Sequence, residues 1–261
     1  MGRVALITGA AQGIGAACVE GLLKGGFSGV VLVDRNSEKL KATAIRLSSL
    51  GQAEFVAMDL RSKGAPKLVV DTALSKFGQI DVLINAAGCT LRGGVGDVSP
   101  ENFDALFDVN VKAPLFLMQE AARHMTKAGH GTIINIASMI AYGGPPNLGA
   151  YSASKAALMA LTKHAAQEFA WNGIRCFCVN LGWALTEGEH DMQTKFHGLP
   201  ENWAEGIGRE MPSGRLILPS DIAELVTYLV SPSAQMMNGA VIDFEQIPVG
   251  MFRNHPVLKS S

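Results

Sequence analysis

The sequence predicts a doubly wound α/β fold, and two observations carry the prediction. Short β-branched or aliphatic runs alternate with longer helical patterns along the whole 261-residue chain. The runs are apolar at nearly every position rather than at every second one, as expected for strands that are covered on both faces in a parallel sheet. No linker or repeat interrupts the alternation. We therefore expect a single domain over residues 1–261, with a seven-stranded parallel sheet flanked by helices.

The elements can be placed along the chain. The predicted strands cover residues 4–8, 29–33, 54–58, 82–85, 132–137, 175–179 and 240–243. The predicted helices cover residues 14–25, 37–50, 62–77, 100–127, 151–171 and 219–231. Several of these helices have start signals, since Ser37, Ser99 and Ser220 precede helical patterns and Pro100 stands in a first turn.

Composition excludes several functional classes. Hydrophobic residues make up 48% of the chain, which is ample for a large core. The net charge is −1, so the chain has no excess of basic residues that would bind nucleic acid or anionic lipid. The four cysteines, at 18, 89, 176 and 178, contain no C-x-x-C pair, which favours a reducing, cytoplasmic setting. The apolar run at 4–7 is too short for a signal peptide or a membrane span. We expect a cytoplasmic protein with a small-molecule substrate and neither nucleic-acid nor membrane partners.

A glycine-rich turn follows the first strand and opens the first helix. Its sequence is Thr8-Gly9-Ala10-Ala11-Gln12-Gly13-Ile14-Gly15. Small residues let the backbone approach a pyrophosphate, and the free N–H groups of a helix N-terminus stabilise its charge. A glycine turn without a ligand is the alternative interpretation.

An acidic residue favours the ligand-binding interpretation of this turn. Asp34 ends the second strand, 19 residues after Gly15. A carboxylate at that place can accept hydrogen bonds from the adenosine ribose hydroxyls and repels a 2′-phosphate. Arg35 is the one neighbouring cation, and the turn itself contains none. The pattern therefore predicts NAD as the cofactor, rather than NADP, on a Rossmann-type fold.

Tyr151 and Lys155 lie four residues apart, on one face of a predicted helix. A nearby ammonium favours phenolate over phenol, and phenolate is the form that a general base needs. A surface contact between the two side chains is the alternative.

Three motifs together resemble the short-chain dehydrogenase/reductase family: residues 8–15, Asn85-Ala86-Ala87-Gly88 and Tyr151-Ser152-Ala153-Ser154-Lys155. They occur in the family's order, and the likeness covers essentially the whole chain. The resemblance implies that the catalytic residues are Asn110, Ser138, Tyr151 and Lys155. It also implies a cofactor site made of Gly9, Gln12, Gly13, Ile14, Gly15, Asp34, Arg35, Asp59, Leu60, Asn85, Ala86, Gly88, Tyr151, Lys155, Gly182 and Thr186.

Three of these residues also have local interpretations. Asp59 could cap the following helix. Asn110 could be a tolerated surface residue of a helix, whereas its role in the family is to kink the helix and hold a water near the lysine. Ser138 ends a strand, where a serine is often part of a turn. Its spacing to Tyr151 matches the family, which favours the catalytic role.

The sequence departs from the family's usual pattern in two places. Leu181 replaces a proline before Gly182, which frees its φ angle. The last strand ends without the usual glycines and leads into an apolar tail with Phe252, Val257 and Leu258. Burial of this tail against a neighbouring subunit predicts a homotetramer or homodimer, and a frayed terminus is the alternative.

The resemblance places a substrate lid at residues 186–218. Trp183, His190 and Trp203 suit a ligand rich in hydroxyls, because aromatic faces stack on sugar C–H surfaces and polar groups pair with buried hydroxyls. Ser138 and Tyr151 are expected to contact the reacting group. A solvated polar lid is the alternative. His190, Asp191 and His197 are too few and too irregularly spaced to predict a metal, and none is expected.

The sequence thus predicts an NAD-dependent oxidoreductase. It would transfer a hydride between NAD and a secondary alcohol of a sugar, sugar acid or polyol, with Tyr151 as the acid/base. A reductase of apolar ketones or 3-oxoacyl groups stays open, since Met139, Ile140, Tyr142 and Met192 are available to line an apolar pocket. The remaining alternative is an NAD-binding sensor or scaffold, against which the intact set of four catalytic residues weighs.

Overall fold

Seven parallel strands form one sheet in the computed structural model, which describes residues 2–248. The order across the sheet is β3-β2-β1-β4-β5-β6-β7. The strands are β1 (Val4–Thr8), β2 (Gly29–Asp34), β3 (Gln52–Ala57), β4 (Val82–Asn85), β5 (Gly131–Ser138), β6 (Ile174–Leu181) and β7 (Val241–Phe244). The predicted fold class, a doubly wound parallel sheet flanked by helices, is confirmed.

Helices cover both faces of this sheet. Ala5 and Ile7 of β1 pack on one face with residues of α1, α2 and α9, whereas Leu6 packs on the other with residues of α3, α5 and α6. Successive side chains of a strand point to opposite faces, which is why the buried strands are apolar throughout. The helices are α1 (Gly13–Lys24), α2 (Ser37–Leu47), α3 (Ala65–Phe77), α4 (Pro100–Phe107), α5 (Ala113–Ala128), α6 (Gly149–Phe169), α7 (Glu187–Asp191), α8 (Trp203–Gly208) and α9 (Pro219–Leu229).

Some element bounds differ from the prediction. The predicted helix at 62–77 begins only at Ala65, because Gly64 has a left-handed φ of 76°. The predicted helix at 100–127 is two helices joined by a π-helical turn at Asp108–Lys112. The strand predicted at 54–58 begins at Gln52, whose ladder partner is Gly29.

The strand order places the carboxyl ends of four strands around one crevice. The order reverses between β1 and β4, and open α/β sheets bind ligands outside the strand ends at such a switch point. Thr8, Asn85, Ser138 and Leu181 end the strands on this side. The fold therefore brings the glycine turn and the predicted catalytic residues to one edge of the sheet.

Two features predicted from sequence concern the surroundings of the molecule. Between residues 2 and 248, none of the helices combines the length and the apolar character that crossing a membrane requires. The apolar tail residues Phe252, Val257 and Leu258 lie outside the described residues, and the homotetramer or homodimer stays a prediction.

Candidate active site

The glycine turn needs its glycines for two separate reasons. Gly9 and Gly13 have left-handed φ angles of 66° and 56°. A Cβ on Gly9 would lie 2.8 Å from the Cα of Ala87, and a Cβ on Gly15 would overlap the carbonyl oxygen of Gly9. Helix α1 begins at Gly13 without a side-chain cap. Its N-terminus thus presents backbone N–H groups to the crevice.

A cavity of about 290 Å³ lies beside this turn. Its walls come from the glycine turn, the ends of β2, β3 and β4, and one residue beyond β6. Twelve of the sixteen predicted cofactor residues line it: Gly9, Gln12, Gly13, Ile14, Gly15, Asp34, Arg35, Asp59, Leu60, Ala86, Gly88 and Thr186. Sequence reasoning missed other lining residues, among them Arg61, Cys89 and Val109, each of which directly neighbours a predicted residue in the chain.

Asp34 connects the end of β2 to the glycine turn. Its Oδ2 accepts from the N–H of Ala11 at 3.3 Å, and its Oδ1 accepts from the N–H of Asn36 at 2.9 Å. These bonds hold the carboxylate in the cavity wall. A cation that the sequence did not single out also reaches the turn, since Lys39 Nζ donates to Gln12 Oε1 at 2.6 Å.

Asp59 lies in the cavity wall and does not cap α3. The N-cap of α3 is Gly64, so the capping interpretation is wrong. The Asp59 carboxylate accepts from the side chain of Arg61 at 2.6 Å and from its backbone N–H at 3.0 Å. The hydrogen bond from the Arg61 side chain is the main cause that lowers the pKa of Asp59 to about 2. The carboxylate is therefore charged at neutral pH.

Tyr151 and Lys155 both lie in the first two turns of α6. Lys155 is only 5% exposed, and its Nζ donates to the carbonyl oxygen of Ile136 at 3.0 Å. The same Nζ lies 5.8 Å from the centroid of the Tyr151 ring. Because the ammonium is buried, the interpretation of the pair as a surface contact is wrong.

Asn110 is fully buried within the π-helical turn, so the surface interpretation is wrong here as well. Its Oδ1 accepts from the N–H of Cys89 at 2.9 Å, and its Nδ2 donates to the Cys89 carbonyl and to Ser154 Oγ, both at 3.0 Å. The Asn110 amide thus bonds both the N–H and the carbonyl of Cys89, the same two groups that a neighbouring strand would bond. A π-helical turn of this kind is frequent at functional sites.

Ser138 ends β5 and is 9% exposed. Its Oγ accepts from the N–H of Ile140 at 3.2 Å, so the turn interpretation is correct for this contact. The contact uses an oxygen lone pair, and a hydroxyl has a hydrogen to donate besides. Ser152 Oγ donates to the carbonyl of Ile140 at 2.6 Å and so connects this turn to α6 beside Tyr151.

Asn85 lies beneath the cavity and does not line it. It is 1% exposed, and its Nδ2 donates to Asn135 Oδ1 at 2.8 Å. Asn135 in turn donates to Thr162 Oγ1 at 2.9 Å. This buried amide network joins β4, β5 and α6 under the crevice, so the structure assigns Asn85 to the support of the cavity floor.

Leu181 continues β6 to its end in place of a proline. It is 6% exposed in the sheet core and pairs with Ser138 in the ladder. Gly182 then donates its N–H to the carbonyl of Phe244 at 3.0 Å. A Cβ on Gly182 would overlap the carboxylate of Glu245, so the glycine is required for the approach of that side chain. Gly182 itself does not line the cavity.

The residues after Thr186 cover the glycine turn. Thr186 lines the cavity, and its Oγ1 accepts from the N–H of Glu189 at 3.1 Å as the cap of α7. Glu187 Oε2 accepts from the N–H of Gly13 at 3.0 Å. A carboxylate thus lies at the N-terminus of α1, in the position where a pyrophosphate would meet the same N–H group. Nothing in the sequence pattern singled out Glu187.

Three of the five residues proposed from sequence for the substrate, Trp183, His190 and Trp203, form one packed cluster. The Trp183 and Trp203 rings are 5.7 Å apart, and Trp203 is only 4% exposed in a core with Met211 and Leu216. Trp203 Nε1 donates to His190 Nδ1 at 3.3 Å. The expectation that Trp203 offers an open face for stacking is therefore corrected: its indole holds the 186–218 segment together.

The polar groups of this segment pair mostly with one another. Trp183 Nε1 and Gln193 Nε2 both donate to Glu189 Oε1 at 2.8 Å. His190 Nε2 lies 2.9 Å from Glu201 Oε2, whereas His197 contacts Arg92. In residues 2–248 the His, Cys, Asp and Glu side chains form no group of three or more that could hold a metal ion.

A family model described as short chain dehydrogenase matches residues 3–196. The chain belongs to this family. A 4-formylbenzenesulfonate dehydrogenase of Comamonas testosteroni is 34% identical, with 93% of this chain and 96% of the relative covered. A 2-dehydro-3-deoxy-D-gluconate 5-dehydrogenase of Dickeya dadantii is 31% identical, with 92% and 93% covered.

The solved structure of a ketoreductase superimposes closely on this chain. The actinorhodin polyketide ketoreductase with NADPH gives a TM-score of 0.87 at 28% identity, with 94% of this chain and 96% of that chain covered. This short-chain dehydrogenase is accordingly an NAD(P)-dependent oxidoreductase that acts on CH–OH groups.

The cavity of this short-chain dehydrogenase fits a nicotinamide dinucleotide. The backbone of Gly9 and Gly15 leaves room that a Cβ would fill, and α1 directs its N-terminal N–H groups to the same place. Asp34 and Thr186 both stand in the cavity wall. The N–H groups of α1 suit a pyrophosphate, and the carboxylate of Asp34 suits a ribose diol.

Proposed function

We propose that this short-chain dehydrogenase uses NAD to interconvert a secondary alcohol and a ketone on a sugar, sugar acid or polyol. The observation that carries the proposal is the buried Lys155 ammonium, which lies 5.8 Å from the centroid of the Tyr151 ring and behind Gly88 of the cavity wall. A phenol with a fixed cation beside it is suited to accept and return a proton.

Each of the four residues has a distinct task in this mechanism. Tyr151 as phenolate removes the hydroxyl proton of the alcohol, and as phenol it returns a proton to the ketone in the reverse direction. Lys155, fixed on the Ile136 carbonyl, stabilises the phenolate. Ser138 donates its hydroxyl hydrogen to the oxygen on which charge develops. Asn110 holds the loop at Cys89 in place. When bound, the nicotinamide would accept the hydride from the substrate carbon in oxidation and would supply it in the reverse reaction.

Asp34 is the reason for proposing NAD, rather than NADP, as the cofactor. Its two backbone contacts hold the carboxylate where it would accept hydrogen bonds from the ribose hydroxyls, and a 2′-phosphate there would be repelled. Lys39 could favour a phosphate instead, but its ammonium donates to Gln12. The balance of these groups supports NAD over NADP.

The polar character of the 186–218 segment supports a hydroxyl-rich substrate. Glu189, Gln193 and Thr194 stand on one side of α7 and the turn that follows it, and all three are half-buried. A similar protein of Dickeya dadantii is named as acting on a sugar acid. We also propose that this segment serves as a substrate lid of a single domain spanning residues 1–261, in a cytoplasmic enzyme.

A reductase of apolar ketones is the second candidate. It is favoured by the superposition on a polyketide ketoreductase and by the half-buried apolar side chains of Ile140 and Met192. It differs from the first candidate in the substrate and in the direction of reaction, while the roles of Tyr151 and Lys155 are the same.

A substrate screen tests the proposal. The full chain is assayed by absorbance at the reduced-nicotinamide band with sugars, aldonic acids, alditols and apolar secondary alcohols, each with NAD and with NADP. We expect turnover on hydroxyl-rich substrates with NAD. Turnover confined to apolar alcohols would overturn the substrate class, and binding of NAD without turnover on any class would favour a sensor.

The cofactor preference is tested separately by thermal unfolding. A ligand that binds only the folded state raises the melting temperature, and at a fixed ligand concentration the shift grows with the logarithm of the affinity. We expect NAD to give the larger shift in the wild type, and Asp34→Ala to reduce the shift with NAD more than the shift with NADP. Asp71→Ala, an exposed change on α3, is the matched control. A larger wild-type shift with NADP would contradict the role of Asp34.

A further inference from the structure

Arg92 lies in the loop after β4, beside the start of the helix that carries Tyr151. The neighbouring Gly93 donates its N–H to the Asn147 carbonyl at 2.9 Å, and its own carbonyl accepts from the N–H of Ala150 at 3.4 Å. Asn102 Nδ2 donates to the Arg92 carbonyl at 3.3 Å from the side of α4. These contacts fix the backbone of Arg92 next to the residues that directly precede Tyr151.

The guanidinium of Arg92 lacks part of the hydrogen bonding that its burial requires. Its Nε is buried without a hydrogen-bond partner. Its Nη2 lies 3.2 Å from His197 Nε2. Among the ion pairs found within residues 2–248, none includes Arg92. A buried donor without an acceptor is costly, and most such groups are paired in folded proteins.

The two nitrogens concerned form a single binding edge. Nε–H and one Nη–H of a guanidinium point the same way and match the two oxygens of a carboxylate. A neutral imidazole nitrogen is one acceptor and can serve only one of the two N–H groups. His197 therefore uses half of the edge and leaves the Nε half without a partner.

His197 is also the kind of partner that can be replaced. It is exposed, and it directly follows the π-helical turn Met192–Phe196 in the 186–218 segment. Arg92, by contrast, belongs to a loop held by backbone hydrogen bonds to the start of α6. A shift of the segment alone would separate His197 from Arg92 and free the binding edge for another acceptor.

We propose that Arg92 binds the carboxylate of an acidic substrate, with the carboxylate taking the place of His197 and giving Nε the acceptor it lacks. The proposal rests on the proposed function and narrows its substrate class from sugars, polyols and sugar acids to the acids. Arg92 is thus a specificity-determining residue, and His197 occupies its binding edge in the free enzyme.

The test compares acids and polyols of the same carbon number: gluconate with sorbitol, xylonate with xylitol, and threonate with threitol. In the wild type we expect kcat/KM to be higher for the acid of each pair. Arg92→Met should lower kcat/KM for the acids about 10- to 150-fold, the range for loss of a charge-assisted hydrogen-bonded pair. The loss should appear in KM, while the values for the polyols change less than about threefold, within the cost of a neutral contact.

Three further variants sharpen the comparison. Arg92→Lys keeps the charge but not the two-pronged edge, so its loss on acids should lie between the wild type and Arg92→Met. His197→Ala should leave KM for the acids unchanged or lower. Arg123→Met, which removes an exposed arginine on α5, should change neither class.

Each other outcome overturns the proposal in a recognisable way. Equal losses on acids and polyols in Arg92→Met would mean a structural role for Arg92. A wild type that turns over polyols but rejects acids would overturn the role of Arg92 and leave the proposed function intact. Absence of turnover on both classes would remove the proposed function together with this inference.

Discussion

The two walls of the crevice are built by different means. The wall around the glycine turn is made of strand ends and backbone, with glycines at positions that no larger residue can occupy. The wall formed by residues 186–218 contains two helices of only five and six residues, α7 and α8. It is held by side-chain contacts such as Trp183 to Glu189 and His190 to Glu201.

This difference separates what the fold determines from what the sequence is free to vary. A parallel sheet fixes its own strand ends, so changes in the first wall should cost stability, cofactor affinity or catalysis. Short helices that depend on their own side chains gain little from the sheet. Changes in the second wall should therefore alter ligand preference at small cost to the fold. The following predictions test this contrast, from the largest expected effect to the smallest.

Tyr151→Phe should break the chemistry in the fixed wall. Loss of a positioned acid/base group costs about 10²- to 10⁴-fold in kcat. The affinity for NADH, measured by fluorescence titration, should stay close to that of the wild type because the glycine turn is unchanged. Tyr228→Phe is the control, since Tyr228 lies half-exposed on α9. Retention of most activity in Tyr151→Phe would contradict the role of Tyr151 as the acid/base group.

Asn110→Ala should destabilise the fixed wall. The change removes the side-chain hydrogen bonds to Cys89 and Ser154 and leaves buried groups without partners, at a cost of about 2–4 kcal/mol. The melting temperature should then fall by roughly 4–16 °C.

The control for Asn110 lies in the other wall. Asn202 is an exposed residue that precedes α8, and its side chain does not cap that helix. Asn202→Ala should therefore shift the free energy of unfolding by less than about 0.5 kcal/mol. Equal effects of the two changes would remove the proposed contrast between the walls.

Glu187→Gln should improve cofactor binding. The carboxylate occupies the N–H of Gly13 and adds negative charge where a pyrophosphate would lie. Its removal should tighten NADH binding by roughly 3- to 5-fold, the size of a partly screened charge at a helix N-terminus. Glu210→Gln, an exposed change outside the cavity, is the matched control. Weaker NADH binding in Glu187→Gln would show that this carboxylate supports the turn instead.

Cys89 should report occupancy of the cavity through its reactivity. Burial raises the pKa of its thiol, so alkylation by iodoacetamide should be slow at neutral pH and should accelerate as the pH rises. NADH should slow the reaction because Cys89 lines the cavity. Burial raises the pKa of Cys18 and Cys176 to about 12 and of Cys178 to about 11. Labelling that persists in Cys89→Ser would contradict this order of reactivity.

The sequence was a good guide to the fixed wall. Apolar runs, glycines and the Tyr151–Lys155 spacing depend on local patterns and on the sheet, so they predict the fold and the place of the cavity. Hydrogen bonds that a side chain makes to distant backbone leave no such pattern. The contact of Asn110 with the backbone of Cys89 is of this kind, and the side-chain contact of Lys39 with Gln12 likewise leaves no pattern in the sequence.

The second wall was predicted less well for the same reason. Trp203 is an aromatic residue of the kind that stacks on sugars, but it is buried against Met211 and Leu216. No periodic pattern in the sequence predicts that packing. Glu187 meets the glycine turn across 174 residues of chain. Arg92 and His197 are 105 residues apart. Only the folded chain brings these pairs together.

The reversal of strand order has a mechanical consequence. β1 and β4 meet along a ladder of four residue pairs, and the cavity spans this seam, with the glycine turn on one side and residues 86–89 on the other. A dinucleotide bound in the cavity would contact the segments that follow both β1 and β4, and so would connect the two halves of the sheet. Its binding energy adds to the cost of separating these halves, so the amide hydrogens of β1 and β4 should exchange with solvent more slowly once the cavity is filled.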